Sequence, residues 1–272
     1  MKKYIIFILM LFISSNFINC IPNNDLLKIH YIDIGQGDST LIEYNSKVLL
    51  IDSGPNSSEE KLNKYLKKNN IKTIDYLIAT HPHEDHIGNM DFLIKNFKVN
   101  KFLMPKALYK SNDFKDLIKS LKQKNLDINV ISSTTKNIID LGNNIKIEFF
   151  TPNITYENLN NYSPIMKLTY KKTTFLFTGD AEKEVENQVL NKDIDSDVLK
   201  VGHHGSSSSS TQAFLEKVTP EISIISCGIN NNFKHPHKTT LNNLENIGSE
   251  IYRTDEDGTI ILTSDGNTIN KK

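Results

Sequence analysis

Seven of the eight histidines in the chain lie in short loops that follow apolar, strand-like runs. The first loop reads Thr80-His81-Pro-His83-Glu-Asp85-His86. Imidazoles at i and i+2, followed by a carboxylate and a third imidazole, offer four metal ligands within one turn. His81 and His83 can bind one ion while Asp85 and His86 turn to a neighbouring ion. The spacing therefore predicts a metal centre in this loop.

Further candidate ligands follow later strand-like runs. Asp180 ends the segment Thr178-Gly-Asp, and two histidine pairs lie in later loops, His203-His204 and His235-Pro-His237. A histidine that stands alone is more often a surface residue or a satisfied core residue. We therefore assign a structural role to His30, which lies inside the first strand-like run.

The surrounding pattern indicates the elements that position these loops. Apolar runs bounded by Gly, Asn, Asp or Ser predict strands over 27–34, 39–44 and 48–51, and helical spacing follows over 57–69. Both halves of the chain begin with strands and continue with helices. The pattern predicts an α/β (α+β) fold in which two similar sheet-and-helix halves pack as four layers.

The composition limits the class of partner. Lys+Arg and Asp+Glu both number 32, and Arg253 is the sole arginine. Proteins that read duplex nucleic acid usually show a basic excess and arginine forks. The composition therefore disfavours duplex reading, although it leaves open the local binding of a phosphate at an active site. No protein partner can be inferred.

The N-terminus has the pattern of an export signal. A basic start, about ten apolar residues and a short polar stretch describe a secretory leader over 1–20. Cys20 lies where a lipoprotein leader places its acylated cysteine, although residues 17–19 depart from the usual lipobox. We expect a leader at 1–20, a single folded domain at 21–272, and either a membrane-anchored lipoprotein or a secreted protein. An uncleaved anchor helix is the alternative.

Several motifs together resemble one family. The HxHxDH loop is typical of the metallo-β-lactamase fold, and the segments 31–38 and 199–206, which contain Gly-Gln-Gly-Asp and His-His-Gly-Ser, resemble the soluble hydrolase domain of ComEC-type competence proteins. The resemblance runs from about Leu27 to Asp265. It implies an αββα sandwich with a dinuclear metal site along one edge.

The resemblance also implies a ligand set. His81 and His83 would bind one divalent ion, Asp85, His86 and His235 the other, and Asp180 would bridge the two. No histidine occurs between Ile87 and Gly179, where many members of the fold carry another ligand. Asn161 and Ser163 occupy the corresponding place, which favours manganese or weakly held zinc. Asp52 is implied as the carboxylate that holds a ligand imidazole.

The implied mechanism uses two divalent ions to activate a bridging water as hydroxide. Asp85 would orient that hydroxide, and His203 or His204 would donate a proton to the leaving group. Adjacent residues leaving a strand tend to point opposite ways. We therefore expect one of these imidazoles to face the metals and the other the packed interior or a neighbouring loop. The likeness favours His203 as the one facing the metals.

The leading function is hydrolysis of a phosphodiester, with nucleic acid or a nucleotide as candidate substrate. The nucleic-acid part depends on the resemblance alone. Hydrolysis of a lactone, a thioester or another acyl compound is the alternative chemistry. A lipoprotein that keeps the fold only for binding is the non-enzymatic alternative.

Overall fold

The structure is a computed structural model that describes residues 25–107, 109–132, 138–151 and 155–272. The predicted leader, 1–20, and its Cys20 lie outside the described residues. Across the described ranges, no helix combines the length and the apolar character needed to span a bilayer.

The described residues form fourteen strands and eight α-helices. In chain order the strands are β1 (Leu27–Tyr31), β2 (Thr40–Tyr44), β3 (Lys47–Ile51), β4 (Thr73–Ile78), β5 (Lys98–Pro105), β6 (Ile128–Ile131), β7 (Ile145–Phe150), β8 (Ile165–Tyr170), β9 (Thr173–Phe177), β10 (Val198–Lys200), β11 (Ile222–Ile225), β12 (Glu250–Arg253), β13 (Ile260–Ser264) and β14 (Ile269–Lys271). The helices are α1 (Glu59–Lys68), α2 (Glu84–Ile87), α3 (Met90–Asn96), α4 (Asn112–Gln123), α5 (Lys183–Val189), α6 (Gln212–Val218), α7 (Lys238–Asn246) and α8 (Thr254–Asp257).

The strands form two sheets. The first has the order β14-β13-β1-β2-β3-β4-β5-β6, and the second has the order β12-β11-β10-β9-β8-β7. In the first sheet β3 to β6 run parallel, and in the second β9 to β12 run parallel. β13 pairs with β1, so the end of the chain completes the sheet that its beginning started.

Three apolar clusters hold the layers together. The central one joins the facing sides of both sheets, for example Ile29 and Leu49 with Leu168 and Phe175. The second packs α1, α3 and α4 against the outer side of the first sheet. The third packs α5, α6 and α7 against the outer side of the second sheet. The layers therefore run helix, sheet, sheet, helix, and the predicted αββα sandwich is confirmed.

The topology brings the loops of interest to one edge. The carboxyl ends of parallel strands meet at the same edge of a sheet. Asp52 follows β3 and His81 follows β4, while Asp180, His203 and His204 follow β9 and β10. Both sheets thus contribute side chains to a single edge of the sandwich.

Candidate metal centre

The tightest group of potential ligands contains Asp85, His86, Asp180 and His204, whose ligand atoms lie within 4.8 Å of one another. His86 Nε2 lies 3.3 Å from Asp180 Oδ1, and His204 Nε2 lies 3.2 Å from Asp85 Oδ2. The four residues come from both sheets. His86, Asp180 and His204 are buried and Asp85 is half-buried, so the group opens to solvent on the Asp85 side.

A second group shares Asp180. His81 Nε2 lies 3.7 Å from Asp180 Oδ2 and 2.9 Å from His83 Nδ1. Ser163 Oγ lies 3.2 Å from His81 Nδ1 and accepts a hydrogen bond from the backbone N–H of Asp180. Ser163 therefore contacts the outer nitrogen of His81, whereas His83 and Asp180 contact its inner nitrogen.

Two buried carboxylates lie beside the Nδ1 atoms of the ligand imidazoles, on the side away from the ligand group. Asp52 Oδ2 lies 2.8 Å from His86 Nδ1, and its carboxylate also accepts hydrogen bonds from the N–H and O–H of Thr80. The Asp52 role that the resemblance implied fits this placement. Asp38 Oδ1 lies 3.2 Å from His204 Nδ1, and the hydrogen bond of that nitrogen is to the carbonyl of Ser226, at 3.0 Å. A carboxylate on the outer nitrogen orients the ring and increases its basicity as a ligand.

A buried lysine neutralises the second of these carboxylates. Lys200 Nζ lies 2.8 Å from Asp38 Oδ2 and donates a hydrogen bond to the carbonyl of Val201. The side chains of Lys200 and Asp38 are only 2% and 6% exposed. Their ion pair links the loop before β2 to the end of β10. Neither residue was predicted from the sequence to have a role.

Removal of the lysine should destabilise the fold. In Lys200→Met we expect a loss of about 3–5 kcal/mol in the free energy of unfolding, because the charge of Asp38 stays buried without its cation. Urea denaturation measures this loss. Lys167→Met is the matched control, since Lys167 is also buried but its partner Asp193 is 86% exposed. Equal losses in both variants would contradict the role of the buried pair.

His203 and His204 correct one prediction. Both have left-handed backbone, with φ of 48° and 54°, so the alternation of an extended strand does not apply to them. The Nε2 atoms of both rings lie 3.7 Å from Asp180 Oδ2. The expectation that only one of the two rings faces the metal centre is therefore wrong. His204 is the more buried ring and belongs to the tight ligand group, whereas His203 is 23% exposed.

A hydrogen-bonded network fixes His203. Its Nδ1 lies 3.2 Å from Glu182 Oε1, which also accepts hydrogen bonds from Asn160 Nδ2 and Ser208 Oγ. This arrangement leaves Nε2 of His203 facing Asp180. Glu182 lies two positions after Asp180 in the sequence, but the pattern gave no reason to single it out.

Asn161 and His235 lie outside the tight group, and the roles that the resemblance implies for them stay predictions. The side chain of Asn161 accepts from the N–H of Glu182 and donates to Glu184, because the turn at 159–162 directs it toward the start of α5. His235 is buried, and its ring centroid lies 6.2 Å from that of His204. His204 belongs to the tight group, and Nδ1 of His235 is buried without a hydrogen bond within the described residues.

The absence of a side chain at Gly205 lets the loop that carries His235 pack against the His203-His204 loop. Its φ is +83°, and a Cβ atom there would lie 2.5 Å from Cβ of Pro236. The carbonyl of Gly205 also accepts a hydrogen bond from the backbone N–H of His237. A glycine is required here because any side chain would displace the loop that carries His235.

The donor set fits a divalent cation. His86 Nε2, His204 Nε2 and Asp180 Oδ1 are buried, and none has a hydrogen bond of good geometry within the described part of the chain. Such atoms are costly to bury unless something binds them. Imidazole nitrogens with carboxylate oxygens suit zinc and manganese.

The carboxylates of the group raise the pKa values of the two buried imidazoles, so a bound cation would replace protons on those rings. Burial lowers the pKa of His204, but the charges of Asp180 and Asp38 outweigh burial and raise it to about 10. For His86 burial again opposes protonation, yet Asp180, Asp52 and Asp85 raise its pKa well above the usual value. Without a metal, the surrounding carboxylates therefore favour the protonated form of both rings.

This protonation predicts a pH dependence of metal binding. A ligand imidazole must be neutral, so metal binding should release about two protons near pH 7.5, one each from His86 and His204. Affinity should then rise with pH, by about tenfold per unit for each proton released. Titration calorimetry in two buffers of different ionisation enthalpy counts the protons. An enthalpy that is independent of the buffer would contradict the prediction.

Comparison with known proteins agrees with the geometry. Residues 32–229 match the family described as the metallo-beta-lactamase superfamily. The chain belongs to this superfamily, and the resemblance inferred from its motifs is confirmed. With the His/Asp group described above, the fold defines a metal-dependent hydrolase.

Two curated proteins are similar to most of this chain. ComE operon protein 3 of Bacillus subtilis is 32% identical over 255 residues, a match that covers 86% of this chain and 32% of that protein. Recombination protein 2 of Haemophilus influenzae is 28% identical over 240 residues and is covered to 28% of its length. The chain thus spans less than a third of these curated relatives. Among solved structures, the metallo-beta-lactamase fold protein YhfI of Bacillus subtilis has a similar fold, with a TM-score of 0.57 at 13% sequence identity. The match covers 88% of this chain and 100% of that one.

Proposed function

We propose that the protein hydrolyses phosphodiesters with two divalent ions, zinc or manganese. The observation that carries the proposal is the position of Asp180, whose carboxylate lies between the His81 and His83 group and the group of Asp85, His86 and His204. A carboxylate shared by two groups of imidazoles can hold two divalent ions side by side, and two-metal phosphoester hydrolysis uses such a pair.

When bound, such a pair of ions supplies an activated water and withdraws charge from the phosphoryl oxygens. The chain's own residues do the rest. Asp85 lies on the open side of the group, where its carboxylate can orient the attacking water. His203, oriented by Glu182 through Nδ1, presents Nε2 toward the same side and can hold the proton that the leaving group needs.

Nucleic acid or a nucleotide is the substrate class that we propose. One relative is named a recombination protein, and recombination acts on nucleic acid. The balanced charge of 32 basic and 32 acidic residues favours local recognition of a short segment over duplex reading.

The test compares two chemistries in the purified protein. Bis(p-nitrophenyl) phosphate and a panel of acyl-lactones and thioesters are assayed with manganese and with zinc. We expect hydrolysis of the phosphodiester and none of the acyl compounds. Acyl hydrolysis without phosphodiester hydrolysis would replace the proposal with its alternative, and inactivity on both would favour a binding protein.

We also propose that the leader at 1–20 exports the protein and that Cys20 carries a lipid anchor. The support is the basic, apolar and polar order of that segment. One acyl chain binds membranes only marginally, so firm attachment requires the several chains of a bacterial lipoprotein. The wild-type protein should partition into detergent, and Cys20→Ser should release or misprocess it. Identical fractionation of the two proteins would overturn the anchor.

A further inference from the structure

Most large apolar side chains in the described ranges are covered, and those that are exposed are unevenly placed. Five large apolar residues in these ranges are exposed to solvent: Tyr109, Ile128, Val130, Ile229 and Phe233. Three of the five, Tyr109, Ile229 and Phe233, lie in loops that adjoin the metal centre. Exposed apolar groups that gather at one place usually mark a binding surface.

Phe233 is the most informative of these residues. Its side chain is 62% exposed, although its ring stacks on His235 with centroids 5.6 Å apart and planes at 23°. The His235 ring in turn lies 5.5 Å from that of His203. The exposed ring of Phe233 thus contacts His235, and His235 lies between it and His203 of the metal centre.

The loop that carries Phe233 is held in place by hydrogen bonds. Asn231 donates from Nδ2 to the carbonyls of Gly228 and His235 and accepts from the N–H of His235. The carbonyl of Phe233 lies 3.1 Å from Nε2 of His237. The ring is therefore presented to solvent by a fixed backbone, and such preorganisation lowers the entropy lost on binding.

Tyr109 lies beside the other group of ligands. Its ring is 39% exposed and meets the edge of His83 with centroids 6.0 Å apart. An exposed lysine follows each aromatic residue directly, Lys110 after Tyr109 and Lys234 after Phe233. The same pairing of an aromatic ring and a cation thus occurs next to both His83 and His235.

We propose that Phe233 and Tyr109 stack on unpaired bases of a single-stranded nucleic acid whose phosphodiester lies at the metal centre. Stacking on exposed aromatic faces with nearby lysines for the backbone is how single strands are bound without reading of base edges. A base can stack in this way only outside a duplex, which agrees with the lack of arginine forks. The proposal deepens the proposed function and uses the same site.

The test separates bases from phosphates. Binding of the full chain to a fluorescent phosphorothioate oligothymidylate is measured by anisotropy, beside an abasic oligomer with the same number of phosphorothioates. We expect the base-bearing strand to bind roughly 5–100-fold more tightly, with most of that preference lost in Phe233→Ala and part of it in Tyr109→Ala. Phe233→Trp should keep the preference for the base-bearing strand, because tryptophan also offers an aromatic face for stacking. Ile128→Ala, an exposed apolar residue at the far sheet edge, is the control and should bind like the wild type.

Two outcomes would overturn the stacking site. One is equal binding of the two oligomers by the wild type, and the other is a loss in Ile128→Ala as large as that in Phe233→Ala. The binding measurement does not depend on turnover. Hydrolysis of bis(p-nitrophenyl) phosphate without any base preference would therefore reject the stacking site alone, and base-dependent binding without phosphodiester hydrolysis would reject the proposed reaction alone.

Discussion

Asp180→Asn should lose most of the bound metal and at least about a thousand-fold in hydrolysis, the scale expected when a site loses a group on which its other members depend. The reason is geometric. Asp180 is the carboxylate within 3.7 Å of imidazoles from both the first loop and the His203-His204 loop. Neutral asparagine keeps the shape of the side chain and removes its charge. Elemental analysis and initial rates on one protein sample measure both effects.

The control for this experiment is Asp116→Asn, which makes the same chemical change at an exposed position on α4. It should keep the metal content and rate of the wild type. Thermal unfolding of both variants checks that the fold is intact. An Asp180→Asn protein with full metal content and full activity would remove the basis for the shared carboxylate.

His203→Ala and His204→Ala should differ in kind. We expect His203→Ala to keep its metal and lose about 10²–10⁴-fold in turnover, the usual contribution of a positioned proton donor. His204→Ala should instead lose metal, because His204 belongs to the buried ligand group and His203 is partly exposed beside it. Metal content and turnover of the two variants, measured in parallel, distinguish the roles.

The leaving group provides the second readout. A p-nitrophenolate leaving group needs little protonation, so its release should be much less affected in His203→Ala than release of an alkoxide from an alkyl phosphodiester. An equal loss for both substrates would contradict the role of His203 as an acid. Loss of metal from His203→Ala would make it a ligand.

Much of the fold could be predicted from the sequence because its elements are strongly periodic. The predicted helix over 57–69 corresponds to α1 (Glu59–Lys68), and the strand predicted over 48–51 corresponds to β3 (Lys47–Ile51). The pairing of β13 with β1 could not be predicted, since local patterns do not show which distant strand completes a sheet. Helices α2 and α3 were also missed, because the histidine loop runs into them without a break in composition.

The candidate site could be predicted only in part, because a sequence shows local spacing and does not show contacts between distant elements. Ligand types at short spacing, such as His81 to His86, are visible in a sequence, whereas residues that support them from distant elements are not. Lys200 lies within an otherwise apolar strand, and its pairing with Asp38 arises only in the folded chain. The joint direction of His203 and His204 follows from two successive left-handed residues, which an extended-strand rule cannot anticipate.

The division of the ligand residues between the two sheets has a thermodynamic consequence. Asp85 and His86 follow β4 of the first sheet, and Asp180 and His204 follow β9 and β10 of the second. A cation held by all four acts as a crosslink across the sandwich, and it has no equivalent site in the unfolded chain. By mass action each tenfold rise in free metal above the dissociation constant adds about 1.4 kcal/mol to the stability of the folded state. We therefore expect the melting temperature of this protein to rise with the free metal concentration around it.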